Sequence, residues 1–302
     1  MGIERLGSVQ VRVTDMDVAL AYYTTVLGLK QVERDGDRVY LKAWDEHDHH
    51  SLVLRQAATP GLDHMSWKLE TAADLEQIET KAERAGSHVE RLAANSERAM
   101  GPAIRFETPS NHLVVLYYGM EKVGNGLPKV NPGPRPAGLI GIAPPRLDHL
   151  LVTTEHVPES TRFFQDVMNF RLVEQVVADE SVQVAAFLER TRTPHDIAFV
   201  PGKDGGLHHF AYWLDNFSDL GPAADMLRMN KIDIDIGPTR HGITRGHTIY
   251  FFDPAGNRNE VFTGAYYVDS DFEPITWTAD QLGPAIFYYE GKLNDRFLSV
   301  YS

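Results

Sequence analysis

Three side chains in the second half of the chain could together hold a divalent cation: His149 in "DHLLVTT", His209 in "HHFAYWLD" and Glu260 in "NEVF". Each lies in an apolar run that reads as a β-strand. A carboxylate in such a run, where Val or Leu would be ordinary, is costly to bury unless a positive charge meets it. Two imidazoles and one carboxylate make the facial triad of non-haem Fe(II), which leaves coordination positions open for a substrate and dioxygen. Taken singly, each residue has a plainer reading. A histidine ahead of "LLV" is more often a hydrogen-bonded core residue, and Arg258 is near enough in sequence to neutralise Glu260. Together on corresponding strands they are better explained by a metal. Neighbouring strand residues face opposite ways, so only one of His208 and His209 can be the ligand. The repeat described next selects His209, with His208 flanking it in a structural role or supporting the ligand from behind.

The elements that must position these residues recur four times. "VQVRV" leads to a helical stretch over 15–28 ending at Gly28, a suitable left-handed cap. "HMSWKLE" leads to a helix opened by Thr71 and Asp74, in the manner of a capping box, and running through Ala85 to Gly86. After the Pro/Gly-rich stretch "GNGLPKVNPGPRPAG" the order repeats: "DHLLVTT" precedes "PESTRFFQDVMN", and "HHFAYWLD" precedes "FSDLGPAADMLRMN". Each helix is followed by strand-like runs. The halves are also alike residue by residue. "GLDHMSWKLE" (61–70) and "GLHHFAYWLD" (206–215) lie 145 residues apart, as do "IRFETPSN" (104–111) and "IYFFDPAG" (249–256), and His50 and His195. The first strands, "VQVRV" and "DHLLV", align at 139. The chain therefore reads as a duplicated α+β domain, each copy holding two strand–helix–strands modules. The boundaries fall at 1–122, a linker over 123–145, and 146–302. By this alignment the first-half counterparts of His149, His209 and Glu260 are Gln10, His64 and Val115. Since the fold accepts Val115, packing does not require Glu260.

The bulk composition narrows the function. A net charge of −13 with no Lys/Arg cluster argues against a nucleic-acid partner. No signal peptide or membrane-length apolar run stands out, so no membrane partner and a cytoplasmic location are expected. The absence of cysteine excludes thiolate metal sites and a cysteine nucleophile.

With these residues in place, the chain resembles the extradiol ring-cleavage dioxygenases of the vicinal oxygen chelate superfamily, most closely the catechol 2,3-dioxygenases. The most specific stretch is "GPTRHGITRGHTIYFFDPAGNRNEVF" (237–262), and the likeness extends over the chain to the tail "ITWTADQLGPAIFYYEGKLNDRF". The resemblance implies paired βαβββ modules forming an open barrel in each half, Fe(2+) in the second barrel alone, and a homotetramer. It implies iron ligation by His149, His209 and Glu260, an acid/base role for His195, and a polar pair, His241 and Tyr250, around the substrate hydroxyls. Phe187, Val200, Ile243 and Phe297 match pocket positions. Read without the family, His195 is equally a surface-loop histidine, with His50 as its repeat partner. Tyr250 is equally a strand aromatic, matched by Arg105.

The implied reaction joins catechol and O2 to give 2-hydroxymuconate semialdehyde in aromatic catabolism. Because one methyl group changes pocket energy by only about 1–3 kcal/mol, the ring substituent is not legible. A larger diol such as 2,3-dihydroxybiphenyl is an alternative. A glyoxalase-like metal isomerase is another, although those sites often use two carboxylates. A metal-free binding module would have no reason to keep all three ligands.

Overall fold

The computed structural model describes residues 2–178 and 182–302. Each half is one sheet built from two βαβββ modules. In the first half, β1 (Ile3–Val13), β2 (Lys30–Asp35), β3 (Arg38–Lys42) and β4 (Leu52–Gln56) form one module. Its partner has β5 (Gly61–Leu69), β6 (Glu90–Leu92), β7 (Ala103–Glu107) and β8 (Leu113–Tyr117). The order is β2-β3-β4-β1-β5-β8-β7-β6, so the modules join antiparallel through β1 and β5. Helices α1 (Met16–Ala21) and α2 (Ala73–Arg84) follow the first strand of each module. Thr71 donates its N–H and its hydroxyl to Asp74 Oδ2, at 3.0 and 2.7 Å, while the Asp74 N–H goes to the Thr71 carbonyl and Ala72 is the N-cap, so only one arm of the expected capping box forms.

The second half repeats the plan. The third module has β9 (Arg146–Thr154), α3 (Val157–Asp166), β10 (Arg171–Val177), β11 (Gln183–Glu189) and β12 (Ile197–Pro201). The fourth has β13 (Leu207–Trp213), α4 (Leu220–Met229), β14 (Ile234–Arg240), β15 (Gly246–Phe252) and β16 (Arg258–Gly264). Its order is β14-β15-β16-β13-β9-β12-β11-β10, extended by β17 (Ile275–Thr278) from the tail. The sheet curls into an open barrel: Val176 on β10 packs with Ile243 beyond β14, although these strands stand far apart in the order. The tail ends in two short helices, α5 (Leu282–Ile286) and α6 (Asp295–Ser299).

Both faces of this sheet are buried, which is why its strands read as nearly continuous apolar runs. Leu150, Val152, Phe199 and Phe210 pack with Phe163 and Phe164 of α3. The alternate residues, Leu151 and Ala198, face the barrel interior with Phe187. His149 shares their side of β9 by the two-residue period. The halves are not independent lobes. One hydrophobic core contains residues of both, and Tyr22 and Tyr23 donate their hydroxyls to Asn259 and Asp253, both at 2.8 Å. No described helix is long and apolar enough to cross a membrane.

The strand register corrects one alignment. Leu150 pairs with Ile197 and His149 with Ala211; in the first half Val9 pairs with Leu52 and Ser8 with Ser66. Ile197 and Ala211 correspond to Leu52 and Ser66 at the 145-residue spacing. The structural counterpart of His149 is therefore Ser8, and Gln10 lies one pleat further along. Register shifts along the β1–β5 pairing make apolar alternation a poor ruler there. Val115 and His64 keep their assigned places: Ser66 pairs with Val115, as Ala211 does with Glu260.

Candidate metal centre

Three neighbouring strands bring the cluster together. His149, Ala211 and Glu260 are in register across β9, β13 and β16, and the register continues to Tyr250 on β15. His209 lies two residues from Ala211 and so shares its face. The small Ala211 side chain leaves the space into which the three long ones converge. Their ligand atoms lie within 4.8 Å of one another, and all three residues are buried. Glu260 Oε2 is 3.2 Å from His149 Nε2 and 3.1 Å from His209 Nε2. His209 Nε2 is nevertheless out of line for a hydrogen bond and has no partner. A buried ring nitrogen left orphaned beside a buried carboxylate fits a divalent cation, and the donor set suits iron, manganese or zinc.

Burial alone would push the Glu260 carboxyl up, but the two imidazoles hold it well below the ordinary range. Arg258 does not provide this charge. Its guanidinium pairs with Asp235 at 3.2 Å instead. The histidines are pulled in opposite directions. Burial opposes the charge on His149, yet hydrogen bonds with Asp148 and Glu260 raise it to about 9. Burial dominates at His209 and lowers it to about 4. Without a metal, the site thus holds an ionised Glu260 and a proton on His149.

The residues behind the cluster were largely missed in the sequence. Thr248 donates to Glu260 Oε1 at 2.5 Å, leaving Oε2 to face the histidines. Asp148 Oδ2 is 3.1 Å from His149 Nδ1. The two-residue period of "HTIY" could have paired Thr248 with Tyr250; nothing in the sequence singled out Asp148. Strict alternation also misplaced His208. A register shift between Leu207 and His209 puts both histidines in the interior, with their Nδ1 atoms 2.8 Å apart. His208 Nε2 in turn reaches the Phe297 carbonyl at 2.7 Å. An Nδ1–H on His209 that donates to His208 leaves Nε2 free for a metal, the usual arrangement around a ligating histidine.

The cavity above the cluster is lined by His195, His241, Tyr250, Phe187, Ile243 and Phe297. His195 is not on the surface. Its ring centroid is 4.0 Å from that of His149, and its counterpart His50 is buried too. Tyr250 OH is 2.9 Å from His241 Nε2, and His241 Nδ1 bonds the Ile286 carbonyl. Val200 does not line this cavity. It borders an adjoining apolar cavity of about 300 Å³ that shares Leu151, Phe187, Ile286 and Phe297 with it.

Comparison with known proteins agrees with this geometry. Residues 146–261 match the Glyoxalase/Bleomycin resistance protein/Dioxygenase superfamily, and residues 62–121 match the Catechol 2,3-dioxygenase-like N-terminal domain. A metapyrocatechase of Pseudomonas sp. (strain CF600) is 44% identical, over 99% of this chain and 98% of its own. The chain belongs to the extradiol dioxygenases. A second member, the manganese-dependent 2,3-dihydroxybiphenyl 1,2-dioxygenase of Geobacillus genomosp. 3, is 32% identical over 95% of this chain and 94% of its own. The crystal structure of the 2,3-dioxygenase LapB from Pseudomonas sp. KL28 superposes with a TM-score of 0.90 at 41% identity, covering 93% of this chain and 99% of that one. The family likeness read in residues 237–262 is thereby borne out. Extradiol dioxygenases are metal-dependent oxidoreductases. Among the described residues, His149, His209 and Glu260 are the one group of His, Asp or Glu whose ligand atoms converge in this way.

Proposed function

We propose that the protein opens catechol beside its diol with both atoms of O2, giving 2-hydroxymuconate semialdehyde, and that its metal is Fe(2+). The observation that carries this reading is the buried Glu260 carboxylate facing two imidazole Nε2 atoms, with a polar His–Tyr pair on the cavity wall. A ferrous ion held by His149, His209 and Glu260 would supply the charge that Glu260 lacks, acidify the diol and leave positions open for it and dioxygen.

The side chains divide the remaining work. His241 donates from Nδ1 to the Ile286 carbonyl, so its Nε2 carries the lone pair. That nitrogen accepts the Tyr250 hydroxyl and is placed to accept a diol O–H instead. Burial and then Glu260 push Tyr250 well above its ordinary range, so it orients the substrate as a donor. Burial and the charge on His149 keep His195 well below its usual value, hence neutral. A neutral imidazole can take a proton from the diol and return it as the ring opens. Phe187, Ile243 and Phe297 shape the space for the ring and keep water from it.

A larger diol such as 2,3-dihydroxybiphenyl is the second reading, favoured by the apolar cavity adjoining the site. The division into 1–122, 123–145 and 146–302, a homotetramer and a cytoplasmic location complete the proposal. The test is to load metal-free protein anaerobically with ferrous or manganous ion, add catechol, and admit air. A yellow product with iron is expected. Colour with manganese alone would move the metal assignment, and no colour with either would end the catechol reading.

A further inference from the structure

Glu174 on β10 is a buried carboxylate that forms no ion pair among the described residues. It is 1% exposed, and its partners are three neutral donors. Oε1 accepts the Thr244 N–H at 2.6 Å and the Tyr266 hydroxyl at 2.8 Å; Oε2 accepts the Trp277 Nε1–H at 2.7 Å. Arg245 lies nearby with its guanidinium over the Tyr266 ring, 4.4 Å from the centroid, and forms no ion pair with Glu174 among the described residues. Burying a charge this way is expensive, so the position should have a use.

The three donors come from separate segments. Thr244 belongs to the 241–245 turn, which carries His241 and Ile243 and in which Thr244 and Arg245 adopt φ of 59° and 61°. Two successive non-glycine residues in the left-handed region are strained and must be held from outside. Trp277, on β17, backs the same turn: a Cβ on Gly242 would stand 3.2 Å from its ring. Glu174 therefore grips the turn through Thr244 and fixes the indole behind it. The first half has a tie at the same place. Glu33 pairs with Tyr40 as Glu174 does with Phe187, and it accepts from Arg98 at 2.8 Å, 145 residues before Ile243. There the tie is a half-exposed ion pair. In the second half it is buried and reaches the substrate wall.

We propose that Glu174 is a positioning residue, whose carboxylate latches the 241–245 turn, and with it His241 and Ile243, against β17 across the open side of the second barrel. This rests on the role given to His241 above. An ionised carboxylate accepts only, which suits three donors; the amide of Gln must turn an N–H toward at least one fixed donor, Thr244 or Trp277.

The test uses Glu174→Gln, Trp277→Phe and the double variant in the metal-loaded enzyme. Glu174→Gln should keep full metal content and speed hydrogen exchange of the 241–246 amides. The catechol KM should rise at least fivefold, with kcat within about threefold of wild type. Trp277→Phe should give part of both effects, and the double variant no more than Glu174→Gln alone, because the groups act as one unit. Unchanged exchange at the turn, an unchanged KM, additive effects, or loss of metal with exchange rising throughout the sheet would each overturn the latch. If wild-type protein fails to cleave catechol, the function proposed above falls, and the exchange data still decide the latch.

Discussion

Replacing Thr248 with Val removes one hydroxyl from behind the metal centre and almost nothing else. Thr248 is fully buried, and its hydroxyl donates to Glu260 Oε1 at 2.5 Å. The corresponding position in the first half is Ala103, so the strand does not need the hydroxyl for packing. A hydrogen bond to a charged group contributes about 1.5–3 kcal/mol. That bond is made with or without metal, so its loss should appear first as lower stability of the metal-free protein. At about 2–4 °C per kcal/mol, melting should fall by roughly 3–12 °C. Metal affinity should change for a different reason. With Oε1 released, the carboxylate can rotate away from the histidines, and loss of such a supporting partner typically costs about 10–100-fold in affinity. Anaerobic competition with a chelator of known affinity measures the second effect, and circular dichroism of metal-free protein the first. If neither moves, Thr248 does not orient Glu260.

His195→Phe should retain metal and still bind catechol, yet turn over about a hundredfold more slowly for want of proton transfer; near-normal turnover would remove His195 from the chemistry. His64→Gln should leave metal content and cleavage unchanged, because Ser8 and Val115 stand where His149 and Glu260 stand in the second half, whereas the same change at His209 should abolish both. An equal loss in the two variants would refute a single site in the second barrel. Metal uptake should also depend on pH. In the metal-free protein His149 keeps its proton up to about 9, and the metal must displace it. Protons compete below that value, so affinity should rise about tenfold per pH unit from pH ~6 and level off near pH ~9. Uptake at neutral pH in weak buffer should release about one proton per metal, and no release would contradict the assignment.

The parts of this structure legible in the sequence were those with a long period. Four strand–helix–strands copies announce themselves because apolar runs and helical stretches recur in one order, and Glu260 stands out because its twin is Val115. Short-range geometry was less legible. The counterpart of His149 slid from Ser8 to Gln10 because register shifts move pairing without changing the apolar pattern. His208 joined His209 inside because a bulge suspends alternation. Val200 faces a neighbouring cavity because the tail, through Phe297 and Ile286, divides the barrel interior, and no local pattern encodes where a tail returns. Thr248 and Asp148 were overlooked because they act on ligands and resemble ordinary strand residues.

The contact of Tyr22 and Tyr23 with the "DPAGNRN" turn has a consequence for how the two copies depend on each other. Asp253 receives the Tyr23 hydroxyl while its other oxygen organises the turn that leads into the Glu260 strand, and Tyr22 bonds Asn259, the residue just before Glu260. The first half, in which no ligands converge among the described residues, therefore braces the back of the strand that carries Glu260. Deleting it would strip buried groups of their partners one residue from Glu260. The first copy is thus tied to the second through Tyr22 and Tyr23, and a change at either tyrosine would reach the strand that carries Glu260.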